Sequence, residues 1–218
     1  MTTYSRENPS PRYKELIGYY RDMHEHGALA QNIPAAETFD GRSLPKHAQH
    51  IYEIIQALRA RTILDYGSGK GRQYGPMKIE LSNGKTYPNI PSFWGVKSVT
   101  CYDPGYEQFN KLPNGTFDGV ISTDVLEHCP KDDIPWILEE IFGYARIFVY
   151  LNVACYPASK ILPNGENAHC TLEPPNWWIE RFEARVTKTP GLKYFAAFDV
   201  PTTDARGDTS INMVLHQG

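Results

Sequence analysis

Apolar positions in the first sixty residues recur at helical spacing. Tyr13, Leu16, Ile17 and Tyr20 fall on one face, and Ile51, Ile54, Ile55 and Leu58 on another, so two helices are predicted. The stretch 27–45 between them carries Gly and Pro and reads as irregular, and residues 1–10 read as a frayed end. From Thr62 the period changes. The short runs TIL, SVTCY and FDGVIST are predicted strands, and each runs into an acid: Asp65, Asp103 and Asp124. A helix follows the third, with Asp132 and Asp133 as N-terminal acids, Pro135 in the first turn, and Ile134, Ile137, Leu138 and Ile141 as its buried stripe. RIFVYLN is apolar almost throughout, as suits a central parallel strand covered on both faces. After a Pro/Asn/Gly loop at 157–167, a helix near 176–184 carries Trp177, Trp178 and Phe182. The runs KYFAAFDV and SINMVLH then close the chain as an antiparallel hairpin.

Strands alternating with helices predict an α/β fold with a doubly wound, mostly parallel sheet. In such sheets ligands bind beyond the carboxyl ends of the strands, where all three acids lie. Residues 74–95 break the alternation. This insert is rich in Gly and Pro, and Asn83-Gly84 between MKIEL and KTY is a hairpin turn signal.

Composition narrows the function classes. The chain has 218 residues, 41% hydrophobic and 12% aromatic, with a formal net charge of −3. That balance argues against a nucleic-acid partner, which calls for a basic excess. The opening MTTYSRENPSPRY lacks an apolar signal core, and no apolar run approaches the ~18 residues of a membrane span. Cys101, Cys129, Cys155 and Cys170 are scattered without a CxxC pair. The expectation is a cytoplasmic protein with reduced thiols, no membrane partner and no metal.

The richest stretch is TILDYGSGKGR, with Gly67, Gly69 and Gly71 at alternate positions directly after Asp65. Glycines so placed let the backbone turn sharply and approach a ligand closely. The stretch is not a phosphate-binding P-loop, because Lys70 is followed by Gly71 rather than Ser or Thr. Nor is it a dinucleotide fingerprint, since the last glycine position, counted from Gly67, holds Arg72. Asp65 inside the turn would repel a pyrophosphate. A cationic, phosphate-free adenosine ligand fits, and S-adenosylmethionine is one. Asp65 would take its amine, glycine amides its carboxylate, and Asp103 its ribose hydroxyls.

These residues, with Tyr102-Asp103-Pro104 and Leu112–His128 (LPNGTFDGVISTDVLEH), resemble class I S-adenosylmethionine-dependent methyltransferases of the small-molecule, type 11-like kind. The resemblance covers roughly residues 50–218. It implies a Rossmann-like methyltransferase fold with a C-terminal antiparallel hairpin and an N-terminal helical cap, divided as 1–46 (cap) and 47–218 (cofactor-binding domain with the 74–95 insert). It also implies methyl transfer to an oxygen or nitrogen of a small-molecule acceptor. Asp103 lies 38 positions after Asp65, against roughly 20 in a simple nucleotide-binding unit. The stretch from Asp103 to Phe117 has no room for the family's third strand, whose acid contacts adenine.

Carried over residue by residue, the cofactor site comprises Asp65, Tyr66, Gly67, Gly69, Lys70, Asp103, Pro104, Asp124, Val125 and Leu126. His128 and His169 are candidates to assist the acceptor, against the plainer readings of a packed loop histidine and a surface residue. Asn152, Tyr156 and Trp177 are candidates for the acceptor side, with one of Trp177 and Trp178 in the core. Cys129-Pro130 reverses the order of a cytosine-methylating nucleophile and reads as structural. His24 and His26, two apart on a helix, diverge rather than pair on a metal. Two alternatives stand beside the enzyme: a non-catalytic cofactor-binding protein, and a methyltransferase acting on RNA or protein.

Overall fold

The computed structural model describes residues 3–81, 83–204 and 206–218. Helix α1 spans Pro11–His26 and α2 Leu44–Leu58. Strand β1 (Thr62–Tyr66) leads into the glycine turn, followed by a short hairpin of β2 (Ile79–Glu80) and β3 (Thr86–Tyr87) and a brief α3 (Ile90–Trp94). Then come β4 (Ser98–Tyr102), β5 (Phe117–Thr123), α4 (Ile134–Tyr144), β6 (Ala145–Ala154), α5 (Pro175–Val186), β7 (Lys193–Thr203) and β8 (Thr209–Gln217).

The six-stranded sheet runs β4-β1-β5-β6-β7-β8, parallel except for the final β7–β8 pair. Helices cover both faces. On one, α1, α4 and α5 bury Leu64, Val120, Val149 and Leu151; on the other, α2 and α3 bury Ile63, Ile121, Phe148 and Tyr150. The fold is therefore α/β and doubly wound, closed by an antiparallel hairpin. The predicted elements form where the periodicity placed them, because each presents one consistently apolar face to this sheet.

Among the described residues no strand lies outside β4, and the connection to β5 has a single helical turn at Glu107–Phe109. The third-strand region is thus shortened. The insert carries the hairpin and α3 where a first crossover helix would run. Asn89 caps α3 by accepting from the Ser92 amide at 2.9 Å, and the Trp94 indole donates to the Ala48 carbonyl of α2 at 2.9 Å. Burying Trp94 and Phe93 fixes the insert against the sheet, at about 2–3 kcal/mol per aromatic side chain.

One expectation about the start of the chain is corrected. Residues 3–10 are not frayed. Arg6 donates to Glu140 (Nε to Oε1, 2.8 Å) and to the Tyr66 hydroxyl at 2.9 Å, and lies over the Trp136 ring. Residues 1 and 2, in the same stretch, lie outside the described residues. Asp133 stands at the N-cap position of α4, as expected of an N-terminal acid. Its buried carboxylate accepts from the Ser10 amide (3.0 Å), the Ser10 hydroxyl and the Trp136 indole (2.8 Å), while Ser10 Oγ caps α1 by accepting from the Tyr13 amide. The acid at the N-terminus of α4 thus also ties down the start of α1.

Candidate functional site

β1 connects leftward to β4, and its neighbour β5 connects rightward to β6, so the order reverses between β1 and β5. A crevice opens beyond the carboxyl ends at such a point. Here it is a cavity of about 510 Å³, within the usual range for small-molecule sites. Asp65, Tyr66, Gly67, Gly69, Asp103, Pro104, Asp124, Val125, Tyr156, His128 and His169 all line it.

The glycine turn is bound tightly to β4. The amides of Gly67 and Ser68 both donate to the Tyr102 carbonyl, at 2.7 and 3.0 Å. The Gly69 amide donates to Asp103 Oδ2, and the Gly105 amide to Oδ1, each at 2.8 Å. The expectation that glycine amides await a ligand carboxylate is therefore corrected: those of Gly67, Gly69 and Gly71 are spent within the fold. Glycine is required for packing as well as bending. Gly67 has φ +88°, and a Cβ there would lie 2.4 Å from Val125 Cγ2; one on Gly69 would lie 2.6 Å from the Phe39 carbonyl oxygen. Asp103 keeps lone pairs beyond its two amide bonds, so it can still accept hydroxyl donors. Burial raises its pKa, opposed by the amides.

Asp65 is buried at the end of β1. Its Oδ2 accepts from the Tyr74 hydroxyl (2.7 Å) and Gln73 Nε2 (3.0 Å). Burial raises its pKa to about 6 against those two bonds, with Asp103 adding to the rise. A cation arriving beside it would therefore meet a carboxyl that ionises near neutrality.

The wall facing the sheet comes from the N-terminal segment. Tyr20 and His24 of α1 and Phe39 line the cavity. The His24 ring lies between Phe39 (centroids 4.6 Å) and Tyr106 (4.9 Å), and burial lowers its pKa to about 4. His26 is exposed and pairs with Asp22. Lys70 is corrected from cofactor ligand to fastener: its ammonium donates to the carbonyls of Ala35 and Thr38 and to Thr38 Oγ1, and its amide to the Phe39 carbonyl. Thr38 Oγ1 in turn donates to Met23 of α1 at 2.9 Å.

At the end of β5 three ligating groups meet. Asp124, with the left-handed φ of +60°, His128 and His169 present donor atoms all within 4.8 Å of one another. His169 Nδ1 lies 2.5 Å from the Tyr156 carbonyl, and His128 Nδ1 lies 3.0 Å from the Ala168 carbonyl. A carbonyl accepts only, so each Nδ1 carries a proton, and in the neutral ring Nε2 is the atom with the lone pair. The Tyr20 hydroxyl, 3.1 Å from His128 Nδ1, then accepts from it and donates to Ala168. Burial holds the His128 pKa down at about 4, with Asp124 opposing and His169 reinforcing. Below them, Glu127 is wholly buried. Its Oε1 accepts from the Ala154 amide (2.6 Å), and its Oε2 has no hydrogen-bond partner among the described residues. Burial and the neighbouring Asp124 charge raise its pKa well above the carboxylate range.

Other expected site residues lie elsewhere. Leu126 is a core side chain. Asn152 is turned into the sheet, donating to the Ala197 carbonyl (3.2 Å) and to Asp199 (3.3 Å). Trp177 sits outside the cavity, because the Arg181 guanidinium covers its ring at 3.3 Å and Lys131 approaches at 5.1 Å; Trp178 fills the core. Burial drives the Cys129 thiol pKa up, and the four cysteines are unpaired. Sequence reasoning missed Glu127 and Phe39. Glu127 stood within the quoted Leu-Glu-His signature. Phe39 lies in an irregular stretch without a period, where nothing local marks it.

No protein-family model matches the chain. No curated protein matches it either. Among solved structures, the "DhpI-SAH complex structure" is similar at 13% identity, covering 91% of this chain and 78% of that one, with a TM-score of 0.39. A likeness at that level establishes neither a shared activity nor a shared ligand. No helix among the described residues is long and apolar enough to cross a membrane.

Proposed function

We propose that the chain is an S-adenosylmethionine-dependent methyltransferase acting on an oxygen or nitrogen of a small-molecule acceptor. One observation carries the reading: Asp65 and Asp103, at the ends of the adjacent parallel strands β1 and β4, face one cavity across a glycine turn. Carboxylates there suit an amine and a ribose diol and oppose a phosphate. Asp103 takes the ribose, Asp65 the amine, and Val125 and Pro104 lie along the nucleoside. The adenine goes toward the aromatic wall of His24 and Phe39, which is backed by Tyr106 of the shortened third-strand region.

In the transfer, an acceptor lone pair forms a bond to the methyl carbon as the carbon–sulfur bond breaks. The bond's electron pair stays on sulfur, leaving a neutral thioether, and the acceptor's proton passes to a base or to water. Alignment supplies most of the acceleration. His128 and His169 line the cavity, each with Nδ1 against a backbone carbonyl, and Tyr156 flanks them.

Calorimetry with S-adenosylmethionine and S-adenosylhomocysteine tests the site. Binding by the wild type that is lost in Asp103→Ala supports it, and equal affinity in the variant removes it. Mass spectrometry of S-adenosylhomocysteine formed with a small-molecule extract tests turnover. Cofactor binding without turnover in any extract fraction would favour a non-catalytic binder. Labelled methyl groups in the polymer fraction would favour an RNA or protein acceptor.

A further inference from the structure

Methyl transfer does not itself require three ligating side chains to converge. Asp124, His128 and His169 nevertheless do so at one end of the cavity, and their arrangement is specific. Both imidazoles have the tautomer fixed by a backbone carbonyl behind them: Tyr156 for His169 and Ala168 for His128. A carbonyl that receives Nδ1–H leaves Nε2 as a lone-pair donor in a set direction, the outer-shell arrangement that metal-binding histidines use. The Nε2 of His169 stands 3.9 Å from Asp124 Oδ1.

We propose that Asp124, His128 and His169 form a divalent transition-metal site that opens into the cavity. Two neutral imidazoles and one carboxylate on one side of an ion leave its remaining positions free, and this donor set suits Mn²⁺, Fe²⁺, Co²⁺ or Zn²⁺ better than Mg²⁺ or Ca²⁺. Ligand atoms bound at about 2.1 Å can be no more than about 4.2 Å apart, so the present spread of up to 4.8 Å needs a small closure. The Asp124 side chain is 45% exposed and free to make it, whereas His169 is held at 5%.

A second observation points the same way. Glu127 is fully buried beside Asp124, with Oε2 unpartnered among the described residues. A buried, unmatched carboxyl oxygen is costly. A cation held at Asp124 would offset part of that cost by attraction, with Glu127 outside the set of three ligands. The backbone invests in the same place, since Asp124 holds a left-handed conformation that costs a non-glycine residue about 1 kcal/mol or more.

The metal-binding half of this inference stands by itself. Its consequence rests on the methyl-transfer reading: the ion's open positions would take an acceptor hydroxyl or carboxylate oxygen and aim it across the cavity at the sulfonium methyl. His128 and His169 would then be ligands rather than bases.

The test uses the full chain after dialysis against chelator. Calorimetry with MnCl₂ and ZnCl₂, and the visible spectrum on adding CoCl₂, should give one site per chain, with MgCl₂ binding at least tenfold more weakly. His169→Ala and Asp124→Asn should each weaken Mn²⁺ binding at least tenfold, with circular dichroism unchanged. Asn tolerates the left-handed backbone, so the second variant guards against loss of fold in the first. S-adenosylmethionine is titrated separately into the same samples. A wild type that binds none of the three transition metals more tightly than millimolar overturns the site, as do variants that bind Mn²⁺ as well as the wild type. One-site metal binding that both variants lose, without any S-adenosylmethionine binding, upholds the metal site and removes the methyl-transfer reading.

Discussion

The Gly69 amide donates to Asp103 Oδ2 across 2.8 Å, so the glycine turn after β1 is clasped by the acid that ends β4. Oδ1 of the same carboxylate accepts from Gly105, which makes Asp103 a structural clasp and, in the proposed function, the ribose acceptor. Asp103→Ala should therefore do two things at once. It should lower the melting temperature by several degrees, through two unpaired amides at about 1 kcal/mol or more each, and weaken S-adenosylmethionine binding at least tenfold. Asp103→Asn keeps one acceptor oxygen and should fall between wild type and Ala in both measurements.

Gly67 is limited by Val125. A methyl at 67 would press on Val125 Cγ2 in a backbone conformation that alanine adopts reluctantly. Gly67→Ala should cost about 2–4 kcal/mol in denaturant unfolding. Adding Val125→Ala should recover part of that loss and leave the φ penalty. Additive losses in the double variant would show that contact with Val125 is not the constraint.

Lys70 fixes the segment carrying Phe39. Lys70→Met should leave the carbonyls of Ala35 and Thr38 without their charged donor. Hydrogen exchange of the amides at 35–40 should then quicken by about tenfold or more, with those of β1 unchanged. Unaltered protection at 35–40 would mean that Thr38 and α1 hold the segment without the lysine.

Asp65 sets a pH dependence. Its folded pKa of about 6 lies above the ordinary value of 3.8, so the folded chain holds this proton more tightly than the unfolded chain does. The stability this contributes is complete below pH ~3.8, is lost as pH rises toward 6, and amounts to about 3 kcal/mol. Cofactor binding should run the other way. An ammonium beside Asp65 requires the carboxylate, so affinity for S-adenosylmethionine should rise between pH 5 and 7 and then level off. Asp65→Asn should bind more weakly and with a flat profile across that range. A pH profile that persists in Asp65→Asn would assign the titration to another group.

Legibility followed locality. The strands ending at Asp65, Asp103 and Asp124, the stripe of α4 and the Asn83-Gly84 hairpin were readable because period and turn chemistry are carried by near neighbours in the chain. Lys70, Asn152 and Trp177 show the limit. Each has a side chain suited to a ligand, and each is bound to the protein itself: Lys70 to carbonyls over thirty residues away, Asn152 to β7, and Trp177 beneath Arg181. A side chain's type states what it can bind, and only the packed chain states what reaches it first.

The sequence by itself determined an α/β sheet, the order of its elements, the turn that needs glycine, and the strand ends where acids gather. The tertiary structure alone decided that the turn's amides close on β4, that Phe39 joins α1 in walling the cavity, and that His169 comes within reach of Asp124 and His128. Periodicity records the face an element buries. Convergence of groups forty residues apart depends on sheet order and loop path, which no local pattern encodes.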